Sequence, residues 1–514
     1  MMIAQKVNDF WKIYPNSKRS FWDRPADVSA GLPKGRGCGK DLLQRKWRYT
    51  IICIDCPWEK AGERSMDLHR DIYEKLLDWK EKNTGKVLEV NGARQVGKTY
   101  ILTKFAKENY KKFFYINMIQ TSGTEFSECL KEATSWKPGE KRVEKPLHKA
   151  FELFDSTFED SRDTVVLIDE IQESAEVFSL IRQFAREFEA HFIVTGSYLG
   201  KTFNKEYFLP AGDIDVFILD TMSCGEFLDA AGKREIYESI DLYGESDHGN
   251  YDELKKWYDI YCQIGGYPAV VQTYFETGDV SQCQTVLQNI VDIFVDETQR
   301  YFDNVLEINL FEQIFPAIAQ TMAREKKGSG DLTKDLSRII YKEDTNKFTK
   351  TNINKAIAWL YRSNIIGYCD RINEGDFLDV TYDCRFYFKD VGITRMFLTM
   401  ASAGKDTIDG LIAETFVYRY LEEEIRNREI SGKSPMFGIY KGGEIDFMVK
   451  SNLNDCRYGI EVKAGRSIGK SANLLLENGR VDYLYLLKGD TYGGIEGKKR
   501  TVPIYLARRV KFDN

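Results

Sequence analysis

Residues 86–110 restrict this chain more than any other segment. Lys86-Val87-Leu88-Glu89-Val90-Asn91 reads as a short buried strand, and Gly92-Ala93-Arg94-Gln95-Val96-Gly97-Lys98-Thr99 follows at once. Residues 100–110 then continue as a helix. The G-x-x-x-x-G-K-T spacing lets backbone N–H groups wrap phosphates, with Gly92 and Gly97 taking conformations and close approaches that side chains would block. The positive N-terminal end of the helix points at the same phosphates. The expected ligand is a nucleoside triphosphate, ATP first. Gly92, Ala93, Arg94, Gln95, Val96, Gly97, Lys98, Thr99 and Tyr100 are its expected contacts, with Lys98 on the β- and γ-phosphates and Thr99 on Mg²⁺.

A second apolar run, Thr164-Val165-Val166-Leu167-Ile168-Asp169-Glu170, ends in two acids. A buried parallel strand would deliver both to the carboxyl edge of a sheet. Asp169 is then expected to position Mg²⁺ through its water shell, and Glu170 to polarise the attacking water. Taken alone, the pattern fits a strand before an acidic helix start equally well; beside the glycine loop it points to hydrolysis. Residues 190–197 give a third buried strand, after which Thr195 or Ser197 could sense the γ-phosphate or serve only as a helix N-cap.

At 514 residues the chain exceeds one hydrophobic core, and about 100–200 residues per domain implies three or four units. Residues 1–65 carry 13 Lys/Arg and 7 Asp/Glu, net +6, against −6 for the whole chain, so the remainder is acidic at −12. With no sustained period and turn-like pieces such as Gly31-Leu32-Pro33, they read as a variable, poorly ordered extension before a helix opened by Met66. Cys53 and Cys56, with Cys38, have the spacing of an incomplete zinc site, but no second pair or nearby His completes it. Scattered cysteines, no signal pattern and no run of about 18 apolar residues make the expected location cytoplasmic and exclude a membrane span.

The runs Asn91 to Thr99, Leu167-Ile168-Asp169-Glu170-Ile171-Gln172 and Val194-Thr195-Gly196-Ser197 resemble a prokaryotic family of AAA+-like ATPases. Leu209-Pro210-Ala211-Gly212, Gly225-Glu226-Phe227-Leu228 and Gly265-Gly266-Tyr267-Pro268 look like that family's continuation. The resemblance implies an α/β parallel-sheet P-loop NTPase core at 66–230 and a helical lid at 231–300. Beyond these it implies a winged-helix-like domain at 301–400 and a PD-(D/E)xK nuclease-like domain at 401–514. It adds residues 265–268 as a nucleotide-sensing lid and raises Arg300 as an arginine finger, although a surface helix salt bridge accounts for that residue as well.

Independently, residues 352–361 have helical spacing and are followed by a hairpin pattern at 364–370 and 379–382, as in a winged helix. From residue 407 the pattern reads helix, three strands (437–440, 444–449, 457–463), helix, then strands at 483–487 and 502–506. That α-β-β-β-α-β order is the restriction-endonuclease-like one. Glu461 and Lys463 share a strand face, and Asp446 lies on the strand before them. Asp446 and Glu461, completed by Glu414 from the helix, could hold one or two Mg²⁺ or Mn²⁺ while Lys463 stabilises charge, although exposed strands carry such residues routinely. All four positions match the family's nuclease-like pattern.

Two functions remain open. In one, ATP hydrolysis governs a C-terminal domain that binds or cuts nucleic acid, DNA first; in the other, ATP drives a regulatory switch whose nuclease-like domain is a non-catalytic platform. An oligomer is compatible with either. A small-molecule kinase would share the loop but would need an acceptor pocket and an Arg-rich lid, and the Asp169-Glu170 pair favours hydrolysis instead.

Overall fold

A computed structural model describes residues 66–513 apart from 136–142, 198–211, 303–309, 325–327, 342–346 and 465–469. The extension at 1–65, with Cys38, Cys53 and Cys56, lies outside the described residues, as do Leu209, Pro210 and Ala211.

Helix α1 (Ile72–Lys82) leads through strand β1 (Val87–Asn91) and the glycine loop into helix α2 (Lys98–Asn109). Strand β2 (Lys112–Asn117), helices α3 (Thr121–Thr134) and α4 (Pro146–Phe154) and strand β3 (Thr164–Asp169) follow. Short helices α5 (Ala175–Ser179) and α6 (Ile181–Glu187) lead to β4 (His191–Thr195), and β5 (Ile214–Ile218) completes a five-stranded parallel sheet ordered β2-β3-β4-β1-β5. Both β3 and β4 are buried along their whole length, the physical reason their sequences run apolar without alternation. Because β4 lies between β1 and β3, the carboxyl ends of all three strands bring Asn91, Thr195 and Asp169 to one edge, where open α/β sheets bind ligands.

The next stretch is helical: α7 (Cys224–Ala230), α8 (Arg234–Ser239), α9 (His248–Ile264), α10 (Pro268–Thr277) and α11 (Val280–Phe302). Helix α7 starts with a capping box, in which the Ser223 hydroxyl accepts from the Glu226 N–H while Glu226 accepts from the Ser223 N–H. Helices α12 (Leu310–Arg324), α13 (Leu332–Tyr341) and α14 (Lys347–Arg362) precede an antiparallel hairpin of β6 (Ile366–Asn373) and β7 (Val380–Phe388).

That hairpin does not stand free as the wing of a separate module. Strand β6 pairs in parallel with β8 (Met436–Tyr440), so one eight-stranded sheet crosses the boundary expected at residue 400. Helices α15 (Val391–Met400) and α16 (Lys405–Arg426) intervene in sequence. Strands β9 (Gly443–Lys450) and β10 (Arg457–Lys463), helix α17 (Lys470–Glu477), and strands β11 (Tyr483–Lys488), β12 (Gly494–Glu496) and β13 (Lys499–Pro503) complete the sheet. The last strand ends three residues earlier than the sequence suggests, and Ile504–Arg509 is a 3-10 turn. Pro503 has no N–H to continue the ladder. The polar residues 499–501 hid the strand because it stands only partly buried near the sheet's edge.

Candidate functional site

The glycine loop wraps closely between β1 and α2. Gly92 has φ +152°, and a Cβ there would stand 2.1 Å from the carbonyl oxygen of Leu219; Gly97 has φ +90° at the helix N-cap. Gln95 also takes a left-handed conformation at φ +61°, a strain that loops of this kind hold at ligand sites. The buried Lys98 ammonium donates to the carbonyl oxygens of Gly92 (2.9 Å) and Ala93 (2.8 Å). Burial lowers its pKa from 10.5 to about 8, opposed by the carboxylates of Glu170 and Asp169. The Tyr100 hydroxyl is turned to Asp67 at 2.9 Å, leaving the backbone as its means of contact with a nucleotide.

The two acids lie at the same edge. Thr99 Oγ1 donates to Asp169 Oδ2 at 2.7 Å, and the Tyr115 hydroxyl donates to the same oxygen at 3.0 Å. Burial, and next the neighbouring Glu170 carboxylate, raise the pKa of Asp169. Glu170 has φ +51° and is held at one oxygen by the Ser197 hydroxyl (2.9 Å) and at the other by Gln172 Nε2 (2.5 Å). Ser197 therefore meets the acid cluster, whereas the buried Thr195 hydroxyl is spent on the Val90 carbonyl at 2.7 Å.

Sequence reasoning missed Tyr115 and Arg70. Tyr115 sits on β2 next to the Asp169 strand, so only strand pairing brings it into view. Arg70 is buried beneath the loop, where it donates to the Val96 carbonyl (2.8 Å) and the Asp220 carbonyl and pairs with Glu226 at 3.1 Å. Residues 265–268 join α9 to α10 directly beside the loop: a Cβ on Gly97 would stand 3.9 Å from both Pro268 Cγ and Arg70 Nη1. Arg300 falls on α11 at a position whose side chain lies outside the described residues.

The eight-stranded sheet gathers the other expected residues. Asp446 Oδ2 accepts the Val462 N–H at 2.7 Å, and the Lys463 ammonium stands 3.5 Å from Asp446 Oδ2 and 2.8 Å from Glu461 Oε1. The other oxygen of the buried Glu461 has no hydrogen-bond partner among the described residues. Glu414 is held by the Tyr387 hydroxyl at 2.9 Å, and its pKa is pushed up to about 8 by burial and then by Asp446. The pKa of Glu461 is likewise raised to about 7 by burial and then by Asp446, against the pull of Lys463. Arg385 and Glu444, absent from the sequence reading, pair at 2.7 Å on the same rim. Among the described residues, no three His, Cys, Asp or Glu side chains stand ready to hold a metal ion; the Lys463 ammonium is the cation between Asp446 and Glu461. No described helix is long and apolar enough to cross a membrane.

Residues 84–228 match the family model of an AAA domain, and residues 255–404 match that of a domain of unknown function, DUF8612. No curated protein matches the chain. Similar solved structures include the Walker-type ATPase PABY2304 of Pyrococcus abyssi, at 14% identity and TM-score 0.41, covering 66% of this chain and 97% of that one. The ORC2 protein of Aeropyrum pernix is similar at 14% identity and TM-score 0.35, covering 69% and 96%. The RuvB Holliday junction branch migration motor of Thermotoga maritima is similar at 14% identity and TM-score 0.27, covering 58% and 89%. The family match and the strand–loop–helix geometry with its facing acids together make residues 84–228 an AAA-type P-loop ATPase domain.

Proposed function

We propose that this chain binds Mg-ATP on residues 92–99, hydrolyses it with Asp169 and Glu170, and uses nucleotide state to control its C-terminal region. The observation that carries this reading is the 2.7 Å contact between Thr99 Oγ1 and Asp169 Oδ2, with Glu170 held beside it by Ser197 and Gln172. A hydroxyl and a buried carboxylate are the hard oxygen donors that Mg²⁺ takes, and the ion would neutralise phosphate charge there. The Lys98 ammonium would exchange the Gly92 and Ala93 carbonyls for phosphate oxygens, the backbone N–H groups of 93–99 would cradle them, and Glu170 would orient the attacking water. Of Thr195 and Ser197, Ser197 is the proposed sensor, acting through Glu170, because the Thr195 hydroxyl is already donated to the Val90 carbonyl.

Glu170→Gln should retain nucleotide binding and lower the hydrolysis rate by about 100-fold or more, whereas Lys98→Ala should lose affinity. Hydrolysis by Glu170→Gln at the wild-type rate would sink the assignment. Running the assay with and without DNA and RNA tests the nucleic-acid partner, DNA first.

For the C-terminal sheet we propose a nuclease-like site of Glu414, Asp446, Glu461 and Lys463. Carboxylate oxygens are the donors that Mg²⁺ or Mn²⁺ takes, but these would have to close on the ion and displace Lys463, which would then be free to stabilise charge on a phosphodiester. Cleavage of labelled DNA or RNA by wild type and Asp446→Ala should differ; equal signals would remove the nuclease claim. The Lys463 ammonium between Asp446 and Glu461 favours a second reading, in which the cluster is internally neutralised and the domain is a binding platform in an ATP-driven switch.

A further inference from the structure

Strand β7 and the residues just after it lie between the two candidate sites. Near its carboxyl end the Tyr387 hydroxyl donates to Glu414 Oε2 at 2.9 Å, and the Tyr387 ring stacks on Tyr418 of α16 with centroids 4.8 Å apart. Arg385, two residues earlier and therefore on the same face, pairs with Glu444 at 2.7 Å and lies 4.0 Å over the Phe437 ring. Both side chains are buried, so neither has room to reorient alone.

Three residues beyond Tyr387, about 10 Å along an extended chain, Asp390 reaches the other site. Its Oδ2 accepts the Gly266 N–H at 2.9 Å, while its Oδ1 accepts the N–H groups of Gly392 and Ile393 and caps α15. The Gly266 carbonyl in turn accepts the Met222 N–H at 2.6 Å. These contacts explain the paired glycines: a Cβ on Gly265 would stand 2.3 Å from Asp390 Oδ1, and one on Gly266 would stand 2.1 Å from the Met222 carbonyl oxygen. Pro268 completes the path against Gly97, and Ala93, Tyr267 and Asp390 line one narrow cavity.

The glycine loop and Glu414 are thus joined by a short path: residues 265–268 stand beside the loop and share a cavity lining with Ala93, Gly266 is hydrogen-bonded to Asp390, and Asp390 follows β7, whose Tyr387 is hydrogen-bonded to Glu414. We propose that β7 is the element through which nucleotide on residues 92–99 is read at the carboxylate cluster, with Asp390 and Tyr387 as its positioning residues. This rests on the reading that residues 92–99 bind ATP. A nucleotide that draws Lys98 away from Gly92 and Ala93 changes the surface against which residues 265–268 pack. Asp390 ties that segment to the end of β7 that is laddered to β6 without interruption from Arg385 to Phe388, the stretch that carries Arg385 and Tyr387 and would shift as one. The same path works in reverse, since coupling between two binding sites is reciprocal.

Hydrogen exchange of the full chain in Mg²⁺, with and without a non-hydrolysable ATP analogue, tests the link without requiring nuclease activity. Wild type should bind the analogue and slow exchange about fivefold at residues 383–388 and 412–416, the lower end of typical coupling. Asp390→Asn keeps a carbonyl oxygen for the α15 cap but offers an amide N–H₂ toward Gly266. It should bind the analogue yet confine slowing to residues around 92–99 and 169–172. Should that variant fail to fold, Tyr387→Phe serves instead, retaining the response at 383–388 and losing it at 412–416. Bound analogue with no change along β7 in wild type, or an unchanged β7 response in Asp390→Asn, would overturn the link alone. Failure of wild type to bind the analogue would remove the ATP reading and this inference with it.

Discussion

The two candidate sites use the same kinds of side chain, a lysine beside two acids, in opposite ways. At the glycine loop Lys98 is held by backbone carbonyls of its own loop, and Asp169 by the hydroxyls of Thr99 and Tyr115. In the eight-stranded sheet Lys463 sits directly between Asp446 and Glu461. The first arrangement keeps cation and anions on separate partners, available to a charged ligand. The second has already satisfied much of its own charge, so any ligand must compete with Lys463. Backbone shape therefore defines the first site, and side-chain electrostatics the second.

The largest effect should come from attacking that backbone shape. Gly92→Ala places a methyl group 2.1 Å from the Leu219 carbonyl oxygen, at a φ that L-residues avoid. Either the β1–β5 ladder shifts or the loop does. We expect a loss of about 3 kcal/mol in urea unfolding, together with loss of nucleotide binding. A variant with wild-type stability and affinity would show that the loop's close approach is not what defines the site.

This difference also governs what could be read from the chain. The glycine loop and the strand ending in Asp169 and Glu170 are contiguous, and their burial leaves apolar runs that a linear scan detects. The strands bearing Asp446, Glu461 and Lys463 were legible for the same reason, as was the helix bearing Glu414. Tyr387, Arg385 and Glu444 were not, because they reach the cluster from β7 and the start of β9, and nothing local in sequence marks that pairing. The hairpin carrying β7 looked like part of a separate winged helix until its pairing with β8 placed it in the C-terminal sheet. Gly225 and Glu226 had a motif but no role; the structure gives Glu226 the capping box and the hold on Arg70.

The electrostatic site should reveal itself through pH. Burial, and then Asp446, raise Glu414 from an ordinary 4.5 to about 8 and Glu461 to about 7. A raised carboxyl pKa means the folded chain holds protons that the unfolded chain releases. Its stabilising contribution is complete below about pH 4.5 and is lost as pH rises through about 7 and 8. In EDTA, the unfolding free energy should fall by on the order of 2 kcal/mol between pH 7 and 8.5, and the double variant Glu414→Gln, Glu461→Gln should flatten that slope. An equally steep slope in the double variant would place its origin elsewhere. Asp71 and Glu423, whose pKa values the Arg508 guanidinium draws down against the cost of burial, act with the opposite sign, adding stability that is lost only in acid.

The smallest effect tests whether the hydroxyls around Asp169 are part of the first site or merely adjacent to it. Tyr115→Phe removes one of the two donors to Asp169 Oδ2 and leaves Thr99 in place. One hydrogen bond to a charged group is worth about 1.5 kcal/mol at the low end, equivalent to about tenfold in an equilibrium constant. If Tyr115 orients Asp169 toward Mg²⁺, the Mg²⁺ concentration for half-maximal ATP hydrolysis should rise by about that factor while the rate at saturating Mg²⁺ stays near wild type. If instead the hydroxyl only satisfies a buried acid, stability falls and the Mg²⁺ dependence does not move. The two outcomes separate a residue that tunes the site from one that supports the sheet beneath it.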